Sequence, residues 1–335
     1  MYQREVKVVM KRRNNDLNVK ELAVIHDSVQ LDVLDYKTAL HLFLNDCELR
    51  NLRDHTIRYY RSELTTFYKL LMDQSVSTNP TEITSEVIKK NVIFHMKEVL
   101  QRKPVTINTR LRAIRAFFNF LHTERYIKFN PMKDVKFLRV RRQAIPTFSK
   151  EQIKNLLKQP NLTTFIGFRD YTVMLLLLET GVRANELVGI AITDIKWEDS
   201  FVHIRNTKGY KERLVPIQSY MKEVLRKYVT VRGSMETDAL FTSIDNRPMT
   251  KRQLQNRISK YGEMAKIKDA RCSPHTFRHT FAKLSVQNGA GIFELQQILG
   301  HTTMDMVRTY VNLFSNDVKE KHKEFSPLKM LNRYK

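Results

Sequence analysis

Apolar residues recur at helical spacing along almost the whole of this chain, and only one stretch, residues 201–217, carries the pattern of a β-hairpin. That restricts the fold to a mainly α architecture with one small sheet. Leu40, Leu42, Phe43 and Leu44 mark a first amphipathic helix, and Ile57, Tyr60, Leu64, Phe67 and Leu70 mark a second beyond the polar break at 50–55. Segments 87–100 and 106–126 repeat the pattern, which gives an all-helical domain over 35–130. Residues 101–145 hold 12 basic and 2 acidic side chains, and the aperiodic end of that run, up to Pro146, reads as a basic linker spanning 131–147.

A second domain is expected over 148–315, opened by Ser149 as the N-cap of a helix with Glu151 and Gln152 in its first turn. Its most apolar helix, 168–178, ends at Gly181, a residue suited to the left-handed position past a helix. Phe201–Ile204 and 213–217 flank a polar tip at 206–211 that contains Gly209. Helices are expected again at 221–231, 251–264, 274–287, 292–299 and 303–314. The start, 1–34, is an extension with no role assignable from composition. The end, 316–335, carries Phe325, Leu328, Met330 and Leu331 among charges, as suits a tail that docks on another protomer.

With 335 residues the chain has room for two cores, so neither domain needs a disulfide or metal staple. Cys47 and Cys272 are far apart and lack partners at ligand spacing, which suggests neither a disulfide framework nor a zinc site and fits a reducing compartment. The longest apolar run, 173–178, is too short to span a bilayer, and the N-terminus lacks a signal-peptide core, so a cytoplasmic, nucleoid-associated bacterial protein is expected. Against 35 acidic residues stand 58 Lys and Arg, a net charge of +23. The excess is shared, with 27 basic and 16 acidic side chains in 1–145, so both domains are fitted to a polyanion such as DNA.

Several polar residues stand where chemistry could use them, although singly none is persuasive, since an arginine, lysine or tyrosine in such a setting is more often solvated or packed. Arg183, in Gly181-Val182-Arg183-Ala184-Asn185-Glu186-Leu187, sits at a helix start, where a guanidinium beside free N–H groups can grip a phosphate oxygen. Lys208 lies at the hairpin tip, within reach of a groove. Ser273 and Pro274 fix a helix start that puts His275 and Arg278 one turn apart on one face. His279 has packing as its default role. His301 follows a helix-ending Gly300, and Tyr310 lies in the next helix.

The ordered set Arg183, Lys208, His275, Arg278, His301 and Tyr310 is far more distinctive than any member. With the motifs Thr180-Gly181-Val182-Arg183-Ala184-Asn185-Glu186-Leu187, Thr207-Lys208-Gly209, Lys211-Glu212-Arg213-Leu214-Val215-Pro216, His275-Thr276-Phe277-Arg278-His279 and Leu299-Gly300-His301, it resembles the tyrosine recombinases, the phage integrases and Xer-type enzymes, over about residues 36–325. The resemblance implies a helical core-binding domain followed by an α+β catalytic domain. It further implies a 3'-phosphotyrosyl link to DNA, specific duplex sites as substrate, a dimer on each site and a tetramer in the synapse, with room for accessory DNA-bending or directionality factors.

In that frame Tyr310 is the nucleophile. Arg183, Arg278, His275 and His301 meet the charge that grows on the phosphate, His275 takes the phenolic proton, and Lys208 protonates the leaving oxygen. Glu186 would orient Arg183 from behind. No carboxylate cluster for magnesium and no phosphate-cradling Gly-rich loop is found, so no cofactor is expected. Thr56, Arg58 and Arg61 on one helix, and Thr106, Asn108, Arg110 and Arg115 on another, offer phosphate and base-edge contacts. Integration and excision of a mobile element is the leading functional expectation. Relaxation of DNA in the manner of a type IB topoisomerase, or regulation by a non-catalytic DNA-binding protein, are the alternatives.

Overall fold

The structure, a computed structural model, describes residues 34–140, 146–205 and 212–300. The extension 1–33, the hairpin tip, the expected helix at 303–314 and the tail lie outside the described residues. The chain divides between positions 142 and 143 into two compact units.

The first unit is helical: α1 (Tyr36–Leu49), α2 (Asp54–Met72), α3 (Ser85–Val87), which runs on as a π-helix over Ile88–Val99, and α4 (Pro104–Thr123). Asp35 caps α1 by accepting from the Lys37 and Thr38 backbone N–H groups, and Pro104 opens α4 where a missing N–H costs nothing. The apolar stripes close on a core rich in aromatic rings, with Phe43, Phe67, Phe117 and Phe118 all buried. Phe43 and Phe117 meet edge-on at 5.7 Å, the geometry ring quadrupoles favour. Met132 and Val135, in the segment read as linker, are buried in this same core. The stretch around them is therefore part of the first unit.

The second unit runs α5 (Lys150–Leu157), α6 (Phe165–Thr180), α7 (Ala184–Val188), three short strands, then α8 (Ser219–Arg232), α9 (Lys251–Met264), α10 (Pro274–Gln287) and α11 (Ile292–Leu299). Ser149 and Gln152 form the expected capping box at α5. Strands β2 (Phe201–Ile204) and β3 (Arg213–Pro216) pair antiparallel, Val202 opposite Val215, as the hairpin pattern predicts. The structure adds β1 (Ile195–Lys196) on the other edge of β2, too short for any periodicity to reveal. The mainly α fold with one small sheet is as expected.

Two sets of polar contacts hold the long helices of this unit in place. Asp170 on α6 is buried and accepts from Arg169 on one oxygen and from Arg257 and Tyr261 of α9 on the other, fastening the two helices. The back of α10 clasps the start of the unit: Thr280 Oγ1 accepts from Phe148 N at 2.9 Å, Lys283 donates to Thr147, and the Phe148 and Phe277 rings meet edge-on at 5.1 Å.

Candidate active site

Gly181, at φ 60°, ends α6 in the left-handed region, and a Cβ there would sit 2.5 Å from the Phe281 ring. The chain turns so sharply that Arg183 becomes the N-cap of α7 two residues later. Its backbone N–H and its Nη1 both donate to Glu186, at 2.9 and 2.8 Å, while Nη1 and Nη2 reach Leu299 O and Gly300 O at 3.4 and 3.2 Å. On α10, Arg278 is buried and donates from Nη2 to the same Leu299 O at 2.8 Å and from Nη1 to Gly181 O at 2.7 Å. The two guanidinium groups therefore converge on one carbonyl at the C-terminus of α11. That helix end carries partial negative charge, and Gly300 caps it at φ 62°.

Glu186, assigned from sequence to orient Arg183, is indeed beside it, with a side chain only 1% exposed. Its second partner is one that sequence reasoning missed. Arg213 of β3 donates from Nη1 and Nη2 to the two Glu186 oxygens at 3.2 and 2.7 Å, and from Nε to Ile298 O at 2.7 Å. A signal was present: Arg213 stands two residues before the fully buried Val215, on the same face of the strand, so a cation there points inward. Burial pushes the Glu186 carboxyl up, but the hydrogen bonds and charge of Arg213, then of Arg183, outweigh it and leave the group below its usual range, an anion.

His275, the second residue of α10, is exposed, and partial desolvation followed by the charges of Arg278, Lys251, Arg183 and Arg271 holds its imidazole below 6.5. It is thus neutral near pH 7 and able to accept a proton. His279 is half-buried and is pushed down to about 4 by burial, then by His275 and Arg278, as fits a packed neutral ring. Lys208, His301 and Tyr310 lie outside the described residues. Among the described residues, no group of three or more His, Cys, Asp and Glu side chains is placed to hold a metal ion.

In the first unit Arg58, Arg61 and Thr106 are exposed, and Thr56 is half-buried, near the starts of α2 and α4, which Tyr59 ties together by donating to Thr109 O at 2.7 Å. The other three expected DNA contacts have partners within the protein. Asn108 is buried and exchanges hydrogen bonds with Leu138 N and O. Arg110 pairs with Glu63 at 2.9 Å, and Arg115 donates to Val135 O with its guanidinium 4.1 Å from the Phe137 ring centre. Asn108 and Arg115 thus brace the chain that leaves this unit.

Known proteins share the fold and the sequence pattern of both units. The Phage integrase family matches residues 146–317, and the phage integrase N-terminal SAM-like domain matches 40–125. Tyrosine recombinase XerC of Syntrophus aciditrophicus is 31% identical over 283 residues, covering 80% of this chain and 90% of that protein. Tyrosine recombinase XerD of Staphylococcus haemolyticus is 29% identical, covering 83% and 94%. In fold, the chain is similar to a lambda integrase dimer bound to a COC' core site, with a TM-score of 0.70 at 15% identity, covering 90% of this chain and 83% of that one. It is also similar to the Tn1549 transposon integrase in complex with transposon right end DNA, at 0.69 and 19%, covering 89% and 99%. With its catalytic unit matched along nearly its whole length, the chain is a tyrosine recombinase of the phage integrase family.

Proposed function

We propose that this recombinase exchanges strands between specific duplex DNA sites through a 3'-phosphotyrosyl intermediate on Tyr310. The observation that carries the reading is the convergence of Arg183 and Arg278 on the backbone immediately ahead of His301. A phosphodiester under attack gains charge on its nonbridging oxygens, and two fixed guanidinium groups stabilise that charge without metal. The neutral imidazole of His275 takes the Tyr310 proton, Lys208 supplies one to the leaving 5' oxygen, and His301 adds a donor to the phosphate. The bond energy stays in the phosphotyrosine, so rejoining needs no nucleotide. Thr56, Arg58, Arg61 and Thr106 suit phosphate contact in the first unit, and the lambda and Tn1549 integrases of similar fold are proteins bound to DNA.

Assembly as a dimer on each site and a tetramer at synapsis belongs to the same proposal, as does action in the integration and excision of a mobile element. Incubation with a nicked duplex carrying the ends of the genetic element in which the gene lies tests the proposal. A denaturation-resistant protein–DNA adduct is expected, absent in Tyr310→Phe while duplex binding persists. An adduct that survives that substitution would remove Tyr310 from its role, and the absence of an adduct on either end would overturn the integration and excision reading.

A further inference from the structure

Arg213 lies in one of the motifs that carry the family resemblance, yet it is not among the six residues to which a chemical role is assigned. Its side chain is 10% exposed and makes three hydrogen bonds at once, to both oxygens of Glu186 and to Ile298 O. Each partner matters for a different part of the site. Glu186 holds Arg183 by the guanidinium and by the backbone N–H. Ile298 O belongs to the helix end on which Arg183 and Arg278 meet, and Gly300 packs so close that a Cβ there would lie 2.8 Å from Arg213 Nη1. Arg213 itself opens β3, at the foot of the hairpin that carries Lys208.

Charge makes the same point. Glu186 with Arg183 alone would form a neutral pair, and a guanidinium already matched by a buried carboxylate has little left to offer a phosphate. With Arg213 as second cation the trio keeps a net positive charge. Arg183, 23% exposed, can then be held from behind by Glu186 and still attract an anion in front. A lysine could restore the charge but not the fork, because one ammonium cannot span two carboxylate oxygens and a carbonyl in that planar arrangement.

We propose that Arg213 is a positioning residue for strand cleavage: through Glu186 it fixes the Arg183 guanidinium against the phosphate, and through Ile298 O it fixes the helix end that leads to His301. It touches no reacting atom. The inference rests on the reading of Arg183 as a phosphate ligand.

The test uses the full chain and two versions of the nicked site duplex, one with a normal scissile phosphate and one with a methylphosphonate, in which a methyl group replaces a nonbridging oxygen and removes the charge. Single-turnover cleavage is measured for Arg213→Ala, Arg213→Lys and, in parallel, Arg183→Ala, with duplex affinity measured by gel shift. On the phosphate, Arg213→Ala should cleave on the order of 100-fold more slowly at unchanged affinity, the loss typical of one misplaced oxyanion donor, with partial recovery in Arg213→Lys. On the methylphosphonate, neutral before attack and carrying one negative charge instead of two in the transition state, there is less charge for Arg183 to neutralise, and the deficit should shrink markedly. An equal deficit on both substrates in Arg213→Ala and Arg213→Lys overturns the proposal, because damage to the fold does not depend on the charge of the substrate. Normal cleavage by both variants overturns it as well. If Arg183→Ala shows no charge-dependent loss, the assignment of Arg183 fails first, and this outcome is separable from a failure confined to Arg213.

Discussion

His279 sits one residue beyond Arg278 and does something different with its proton. Burial, then His275 and Arg278, hold it at about 4 in the folded chain, against 6.5 for an ordinary histidine. Between those values the unfolded chain takes up a proton that the folded chain refuses. Its contribution to stability is therefore complete above pH 6.5 and is lost progressively as pH falls toward 4. His279→Gln should flatten that part of the stability profile, read as the denaturant midpoint across a pH series. A slope unchanged by the substitution would assign it to other groups. His275 differs in exposure and in consequence: with its pKa lowered, the proposed role as proton acceptor predicts an acid limb of cleavage below pH 6.5 and activity that holds at neutrality, read from single-turnover rates across a pH series.

At the scale of elements, Asp170 joins α6 to α9 with a carboxylate whose oxygens are satisfied by two arginines and a tyrosine. Asp170→Ala leaves Arg169 and Arg257 without their counter-charge in a buried setting, and removal of one partner from such a cluster costs about 3–5 kcal/mol. Urea unfolding should show that loss in the transition of the second unit. Elements of this kind differ in how far sequence betrays them. The bounds of α9, α10 and α11 are where periodicity, the Ser273–Pro274 start and the closing Gly300 put them, because local rules decide helix ends. The partners of Asn108 and Arg213, Leu138 and Ile298, are not legible, because they lie 30 and 85 residues away; alternation along β3 marks Arg213 only as an inward-facing cation. A polar side chain read in isolation looks like a ligand for something outside. Only the packed chain shows that Asn108 spends both ends of its amide on the backbone. Glu186 was legible because its partner Arg183 is one helical turn away.

Across the whole molecule, a charge of +23 makes duplex binding steeply dependent on salt, since each phosphate neutralised releases counterions. That dependence separates two ways for an arginine to matter. Arg115→Ala should weaken binding, yet leave the slope of log affinity against log salt unchanged, because Arg115 braces Val135 and Phe137. Loss of a true phosphate contact, as expected for Arg61→Ala, should lower the slope by about 1. A slope change in Arg115→Ala would place its guanidinium on the DNA instead. The clasp between α10 and Phe148 has a practical corollary for anyone dissecting the enzyme. The helix that presents His275 and Arg278 on one side is secured on its other side by residues that precede the first helix of the unit. A shortened protein begun at Ser149 would contain every described helix of the second unit, yet deprive Phe277 of its partner ring and Thr280 of the amide it accepts from. Fragments meant to retain cleavage must begin upstream of Thr147.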